Sequence, residues 1–411
     1  MCDFPTKIIS ILKNILIISA VFPPEPVVSS QLSLDIATEL SKHNEVTVLS
    51  PQPTRPEHFV FEEKHIDHPF RHIVVDSFTH PKSQIYGRMK ESYSFGKKCA
   101  AYIEKNREHI DLVYVNSWPM FSQYFIMKAA KRNHIKTIIH IQDIYPESIV
   151  NKLPFARLLF LKILLPMDRY ILSNATHVLC ISENMKNLLS SQRNVSKEKF
   201  SIVSNWQNEE NFIKYHAEKN TEKEMKKHSE RPFTFMYLGN NGPVAGIEYL
   251  IEAFFSAKIP NSRLVIAGSG SKTEDCKNLA NRLHAENIEF MAVPDGKVPE
   301  VQSIADVLLL PVKTGAAMSS IPSKLPAYMF SKKPIIGSLD LESDTANAIR
   351  KAECGIVVRP ENKDEFSAAL KEISRWQVPQ LISAGEKGFN YAIQHFSKQS
   401  NLKKVVDLIQ A

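Results

Sequence analysis

The run Asn14-Ile-Leu-Ile-Ile-Ser-Ala-Val21 decides the fold class, since it is continuously apolar and rich in β-branched residues. Such a run is typical of a strand covered on both faces, as in a parallel sheet. After a loop at residues 22–30, apolar residues recur at helical spacing over 32–40, and residues 45–49 form a second apolar run. Together these segments predict a strand–helix–strand unit.

The same alternation continues along the chain and divides it into two halves. Further strands are predicted at residues 73–78, 111–116, 136–143, 177–182 and 201–206, and then at 233–238, 263–267, 288–293, 306–311, 334–337 and 355–358. The polar stretch between the two series has no sustained apolar period, as expected for a linker. We predict an α/β protein with two Rossmann-like, doubly wound parallel-sheet domains that face a cleft.

The predicted domain bounds follow from these runs. Residues 1–210 form the first domain, 211–232 a charged linker, 233–380 the second domain, and 381–411 a C-terminal helix that could pack on either half.

Composition excludes several classes of protein. The 411 residues are 43% hydrophobic and 23% charged, which excludes disordered and fibrous chains. The net charge of +7 suits an anionic ligand or membrane surface but is too small to indicate nucleic-acid binding. Five scattered cysteines without a paired motif favour a reducing compartment, and no secretion signal is recognised. We therefore expect a cytoplasmic protein.

Polar residues follow two predicted strands of the first half. The loop at residues 19–30 leads into a helix N-terminus, where Ser29 or Ser30 is a candidate cap. Asp143 and Glu147 flank a turn at Pro146 just beyond the strand at 136–143. For Glu147, a helix-capping role and a substrate contact are equally compatible with the sequence. Asp143 ends a buried strand, which favours a functional role.

The second half contains two candidate anion-binding segments. Residues 237–246 (Tyr-Leu-Gly-Asn-Asn-Gly-Pro-Val-Ala-Gly) join a strand to a helix and use three of the 13 glycines in the chain. A phosphate-binding turn and a purely conformational need for glycine are both compatible with this loop. Residues 314–329 place Ser323 and Lys324 at a helix start. A lone lysine there is usually a solvated surface residue, but at a helix start its ammonium opposes the macrodipole, which suggests an anion nearby.

The order of these motifs resembles the family 4 retaining glycosyltransferases of the GT-B fold. The resemblance rests on Phe22-Pro-Pro, Gln142-Asp-Ile-Tyr-Pro-Glu-Ser, Cys180-Ile-Ser-Glu-Asn-Met-Lys, Val203-Ser-Asn-Trp, Gly239-Asn-Asn-Gly and Pro322-Ser-Lys-Leu. It covers nearly the whole chain and is closest to the bacterial branch that builds O-antigen and capsule. The resemblance implies a metal-independent hexosyltransferase that moves a sugar from a nucleotide-diphosphate donor, with retention, to a glycan acceptor, expected to be lipid-linked. It implies no cofactor, and it implies that the C-terminal helix at residues 381–411 crosses back to the first domain.

The resemblance also assigns roles by position. Around the donor diphosphate it places Gly239, Asn240, Asn241, Gly242, Ser323 and Lys324. Asp143 becomes the catalytic residue, and the acceptor and sugar side includes Val28, Ser29, Gln142 and Glu147. Residues 292–298 are expected near the base. The sequence departs from the family at the Glu-x7-Glu pattern, where it has Ser319 and Ala327.

Other interpretations stay open at this point. A nucleotide-sugar epimerase would use similar domains but needs acid/base groups for which the sequence offers no clear set. A non-catalytic nucleotide-sugar-binding or scaffold protein would explain the departures.

Residues 149–172 are apolar but contain four cations, which suits an inner-leaflet membrane surface or a core helix with snorkelling side chains. No metal site is predicted at His65, His68 and His72, since no carboxylate lies at ligand spacing. Oligomeric state is not indicated.

Overall fold

The computed structural model describes residues 12–25, 27–54, 67–80, 84–116, 120–147, 157–218, 231–243, 245–315, 317 and 321–410; for Val28 and residues 157–159 it describes the backbone only. The chain divides into two compact units, Met1–Asn205 with Leu402–Ala411, and Trp206–Asn401. We refer to them as the first and second units.

The first unit is built on a seven-stranded, wholly parallel sheet. Its strands are β1 (Asn14–Ser19), β2 (Glu45–Pro51), β3 (Arg71–Val75), β4 (Leu112–Asn116), β5 (Lys136–Ile141), β6 (His177–Cys180) and β7 (Phe200–Ile202). They lie in the order β3-β2-β1-β4-β5-β6-β7. The residues of β1 after Asn14 are buried, which explains why the run carries no polar alternation.

Helices follow most strands of the first unit. They are α1 (Val28–Leu40), α2 (Ile85–Asn106), α3 (Phe121–Arg132), α4 (Arg157–Asn174) and α5 (Glu183–Arg193), with 3-10 turns at Arg107–His109 and Lys197–Lys199. Leu16 and Ile18 of β1 enter a core cluster that also holds Phe95 of α2 and Ile126 of α3. Each such buried aliphatic side chain stabilises the fold by about 1.5–3 kcal/mol.

The second unit contains a six-stranded parallel sheet in the order β10-β9-β8-β11-β12-β13. Its strands are β8 (Phe233–Leu238), β9 (Ser262–Ala267), β10 (Ile288–Met291), β11 (Val307–Pro311), β12 (Ile335–Ser338) and β13 (Gly355–Val358). Its helices are α6 (Glu210–Glu218), α7 (Ile247–Ala257), α8 (Thr273–Arg282), α9 (Val298–Ser303), α10 (Lys324–Phe330), α11 (Asp344–Lys351), α12 (Lys363–Ile373) and α13 (Val378–His395), and α14 (Lys398–Gln410) follows. The prediction of two doubly wound parallel sheets is confirmed.

Two predicted segments differ from the structure. The stretch expected to be a linker begins with the helix α6, because Phe212 is buried and its ring lies 5.7 Å from that of Phe330. Residues 219–230 of that stretch lie outside the described residues. The single expected C-terminal helix is two helices, α13 and α14, with a break at Phe396 and Ser397. The division into units assigns α13 to the second unit and Leu402–Ala411 to the first.

Both sheets reverse their winding direction at one place. In the first unit β1 lies between β2 and β4, and in the second unit β8 lies between β9 and β11. Connections on the two sides of such a strand leave in opposite directions, so a crevice opens at its carboxyl end. This position is where doubly wound sheets bind ligands, and the candidate site residues of each unit lie there.

Candidate functional site

The glycine turn after β8 is held against the loop after β9. Gly239 N donates to Ala267 O at 3.0 Å, and Asn241 N donates to Ser269 O at 3.0 Å. A Cβ added at Gly268 would lie 2.2 Å from Gly239 O, and one added at Gly270 would lie 2.5 Å from Asn241 O. Only glycine permits this approach of two backbones, so the run at residues 268–271 supports the turn at 239–242.

Lys324 lies directly against Gly239. A Cβ added at Gly239 would stand 2.1 Å from Lys324 Cε and 3.3 Å from Nζ. The ammonium group is 5.5 Å from the centroid of the Tyr237 ring, and burial lowers the pKa of Lys324. Within the described part of the chain, no carboxylate forms an ion pair with it. A desolvated cation beside a glycine turn is a suitable binding group for an anion.

Tyr328 fixes this arrangement, and it was not among the predicted site residues. Its hydroxyl accepts from Leu238 N at 2.9 Å and donates to Leu238 O at 3.0 Å, so α10 is tied to the end of β8. Lys324 precedes Tyr328 by four residues and therefore lies on the same face of the helix. The i, i+4 spacing of Lys324 and Tyr328 is ordinary for a helix, so the sequence carried no signal that singled out Tyr328.

The other predicted donor residues occupy different environments. Asn240 and Ser323 are exposed and Gly242 is half-buried. Asn241 is wholly buried, and its Nδ2 donates to Thr273 Oγ1 at 3.1 Å and to Gly268 O at 3.4 Å. The Asn241 side chain thus joins the loops that follow β8 and β9, and it is the one predicted donor residue that the structure buries completely.

Residues 292–298, which were expected near the base, follow the carboxyl end of β10 and are mostly exposed. Gly268 N donates to Met291 O at 2.9 Å, so this segment borders the loop that supports the glycine turn. Ser319 of the departing Glu-x7-Glu pattern lies outside the described residues, and Ala327 is buried within α10.

The first unit has a pocket of about 230 Å³ at the carboxyl ends of β1, β4 and β5. Three predicted residues, Ser29, Gln142 and Asp143, line it. The remaining lining residues are Ala20, Val21, Val27, Asn116, Gln123, His140, Ile141, Tyr145, Asp168, Leu172 and Leu189. Asp143 is exposed there, and Val28 is the first residue of α1.

A chain of amides and hydroxyls organises one wall of this pocket. Gln142 Nε2 donates to Asn116 Oδ1 at 3.1 Å, and Asn116 Nδ2 donates to Ser33 Oγ at 2.8 Å. Ser33 Oγ also lies 2.8 Å from Ser19 Oγ at the end of β1. Asn116 and Ser19 were not predicted, although each ends a buried strand as Asp143 was noted to do.

His140, one of the residues that line the pocket, is a neutral side chain. Its Nδ1 is 2.8 Å from Tyr114 Oη and its Nε2 is 3.3 Å from Val203 O. Burial lowers the pKa of His140 to about 4, so the imidazole carries no charge near neutral pH. The acidic groups that line the pocket are Asp143 and Asp168.

Glu147 differs from its expected place on the acceptor side. Both of its carboxylate oxygens accept from Arg193 Nη2, at 2.7 and 2.9 Å, and the residue is not part of the pocket lining. The Glu147 carboxylate is thus engaged in an ion pair with a buried guanidinium.

Two predicted features remain: the histidines near residue 68 and the apolar helix α4. His68 stacks on Phe70, and His72 Nε2 lies 2.9 Å from Ser50 Oγ; His65 is outside the described residues. Across the described ranges, no three His, Cys, Asp or Glu side chains are grouped to share a metal ion. On α4, Ile163 is 56% exposed while Leu172 is buried. Among all the described residues, no helix is both long enough and apolar enough to span a bilayer.

Each of the two units matches a known protein family. Residues 30–210 match the family described as Glycosyltransferase Family 4, and residues 218–381 match the family described as Glycosyl transferases group 1. The first match covers most of the first sheet, and the second covers the whole of the second sheet.

Individual relatives are distant in sequence. A probable glycosyltransferase of Pseudomonas aeruginosa, WbjE, is 21% identical over 66% of this chain and 66% of its own length, so the chain spans just under two thirds of that relative. The crystal structure of Anabaena HepE with UDP-glucose shares 14% identity over 96% of this chain and 99% of that chain, with a TM-score of 0.63. WaaG, a glycosyltransferase involved in lipopolysaccharide biosynthesis, shares 16% identity over 96% of this chain and 99% of its own, with a TM-score of 0.65. At these low sequence identities, the structural similarity shows a shared fold and no more. The two family matches, which together span most of the chain, show that it belongs to the glycosyltransferases with the GT-B fold, family 4 in its first unit and group 1 in its second.

Proposed function

We propose that this chain transfers a hexose from a nucleoside-diphosphate sugar to a glycan acceptor, with retention of anomeric configuration and without a metal ion. The observation that carries the proposal is the half-buried, partly desolvated ammonium group of Lys324 against the glycine turn at Gly239. When the sugar leaves, negative charge develops on the diphosphate, and a positioned ammonium with backbone N–H groups stabilises that charge. HepE, a similar structure, was crystallised with UDP-glucose, which supports a donor of this class.

The first unit is proposed to bind the sugar and the acceptor. Its pocket presents Ser29, Gln142 and Asp143, which are groups that accept hydrogen bonds from sugar hydroxyls. We assign Asp143 the catalytic role of stabilising positive charge at the anomeric centre as the bond to the diphosphate breaks. Retention needs no nucleophile from the protein when the acceptor oxygen bonds to the face that the diphosphate leaves.

The acceptor is proposed to be a growing surface polysaccharide such as O-antigen or capsule, carried on a lipid. The similarity to WbjE and to WaaG, which is involved in lipopolysaccharide biosynthesis, supports this class. We further propose a cytoplasmic enzyme at the inner leaflet, with the exposed Ile163 and Lys162 of α4 facing an anionic surface. Flotation with phosphatidylglycerol vesicles tests that contact, and unchanged flotation of an Ile163→Glu variant would contradict it.

A donor screen tests the proposed reaction. Thermal shift with common UDP, GDP and dTDP sugars identifies the ligand, because binding only to the native state raises the midpoint. Lys324→Ala should weaken the binding of that donor, whereas Asp143→Asn should preserve binding and abolish transfer. A donor that is converted to an isomer without any acceptor would instead indicate an epimerase. Failure to bind any nucleotide would indicate a scaffold protein.

A further inference from the structure

Arg193, the last residue of α5, joins three separate parts of the first unit. Its side chain is only 1% exposed, although it carries a full charge. Nε donates to Asp168 Oδ2 of α4 at 2.6 Å, and Nη2 donates to Tyr145 O at 2.8 Å. The same Nη2 donates to both oxygens of Glu147. One guanidinium therefore connects two helices with the segment that follows β5.

The groups held by Arg193 belong to the pocket or adjoin it. Tyr145 and Asp168 line the pocket, and Asp143 lies two residues before Tyr145. The contact with Tyr145 is to the backbone carbonyl, so it fixes the path of the chain rather than one side chain. The segment 142–147 thus has an anchor at each end: Gln142 on Asn116, and Tyr145 with Glu147 on Arg193.

The carboxylates in this cluster depend on the guanidinium. The Asp168 side chain is 8% exposed and that of Glu147 is 29% exposed. Burial raises the pKa of Asp168 to about 6, and hydrogen bonding with Arg193 opposes that rise. Without the cation, two partly desolvated acids and one carbonyl would lose their donor, and the segment would have to move to rehydrate them.

We propose that Arg193 is a positioning residue for the acceptor pocket, which holds the segment 142–147 so that Asp143 meets the sugar, and that Glu147 acts through Arg193 and does not touch the acceptor. The proposal rests on the proposed function for its catalytic meaning. A lysine would keep the charge, but its three N–H groups radiate from one nitrogen, so they do not match acceptors that now bond to Nε on one side and to Nη2 on the other.

Three variants of the full chain test this role. Arg193→Lys removes the branched contact and keeps the charge. Glu147→Gln keeps an oxygen that can accept from Nη2. Arg132→Lys is the matched control, because Arg132 pairs with Glu104 at 2.7 Å on the exposed surface of the same unit. Thermal unfolding confirms that each variant is folded at the assay temperature.

Hydrogen exchange is measured on the segment 142–147, which requires no activity. We expect faster exchange there in Arg193→Lys, and exchange like that of the wild type in Arg132→Lys and Glu147→Gln. In transfer assays, Arg193→Lys should lower kcat by roughly 10- to 100-fold while the donor KM stays unchanged, as expected when a catalytic group such as Asp143 shifts by about 1 Å.

Two outcomes overturn the proposal. If the exchange of 142–147 is the same in Arg193→Lys and the wild type, Arg193 does not hold the segment. If Glu147→Gln loses acceptor binding without any change in exchange, Glu147 contacts the acceptor directly. A wild-type protein that transfers no sugar would refute the proposed function, whereas the exchange measurement would still decide whether the clamp exists.

Discussion

Replacing Gly239 by alanine should displace Lys324 and weaken donor binding without unfolding the second unit. The new Cβ would stand 2.1 Å from Lys324 Cε, whereas carbon atoms in contact are about 3.5–4.0 Å apart, so Cε must retreat by about 1.5 Å. Because the atom in conflict is near the end of a flexible side chain, the retreat itself costs little folding free energy, and any further loss of stability comes from the φ of +159° at Gly239, which residues with a Cβ rarely adopt. The ammonium moves with Cε.

The expected loss follows from the hydrogen bond that the ammonium would make with a phosphate oxygen. A charge-assisted bond of this kind spans about 2.7–2.9 Å, and a shift of 1.5 Å breaks it. Its loss corresponds to about 1.5–3 kcal/mol, or roughly a 10- to 150-fold rise in the dissociation constant of the donor. Isothermal titration calorimetry of the nucleoside diphosphate identified by the screen measures this change.

A double-mutant cycle decides whether the loss arises through Lys324. In a Lys324→Ala background, Gly239→Ala should have no further effect, since the group that it displaces is already gone. Gly242→Ala is the matched control in the same turn, because its Cβ would lie at an ordinary 3.7 Å from Asn240 Nδ2 and would leave Lys324 in place. Additive effects of Gly239→Ala and Lys324→Ala on the binding free energy would refute the reasoning.

Three further predictions concern titration and buried polar contacts. Because burial lowers the pKa of Lys324 below its usual 10.5, donor affinity should fall as pH rises through that lowered value; Lys324→Arg should retain affinity to higher pH, as checked by titrations from pH 7 to about 10. Asp168 holds its proton to about pH 6 in the folded state against 3.8 ordinarily, so the free energy of unfolding should decrease as pH rises between those values; Asp168→Asn should remove this slope in urea titrations. Asn241→Ala breaks the hydrogen bonds to Thr273 and Gly268, which lowers the free energy of unfolding. The loss should be only about 1 kcal/mol by calorimetry, because the substitution also removes a buried oxygen that has no partner among the described residues.

The strands could be predicted from the sequence because their signal is local. In a doubly wound sheet each buried strand is a continuous apolar run, so β1 and β8 were recognisable without knowledge of their neighbours. The order of the strands is not local, and it is this order that brings Gly239 beside Lys324. Both residues were predicted because each follows a buried strand, but their contact depends on the pairing of β8 with β11.

The residues that escaped prediction act through partners distant in the sequence. Tyr328 bonds to Leu238, which lies 90 positions earlier, and Arg193 bonds to Asp168 and Tyr145, 25 and 48 positions earlier. Neither side chain stands in a pattern that differs from an ordinary helix. Only the tertiary fold distinguishes them from surface or core residues.

The helix α6 could not be predicted from the local sequence either. Glu210–Glu218 is polar apart from a few residues, so its sequence is typical of a solvated linker. Two side chains dock it on the second unit: Phe212 packs against Phe330, and His216 Nε2 lies 2.8 Å from Phe330 O. Composition averaged over a window conceals such contacts.

The return of the last helix makes the first unit discontinuous in sequence. Lys13 Nζ donates to Ile409 O at 3.0 Å and to Gln410 O at 2.8 Å, and Val405 is fully buried. A recombinant fragment that stops at residue 205 would therefore lack a piece of its own interior and should be prone to aggregation. Supplying residues 398–411 as a separate synthetic peptide should restore its solubility, which makes fragment complementation a practical route to studying the acceptor half in isolation.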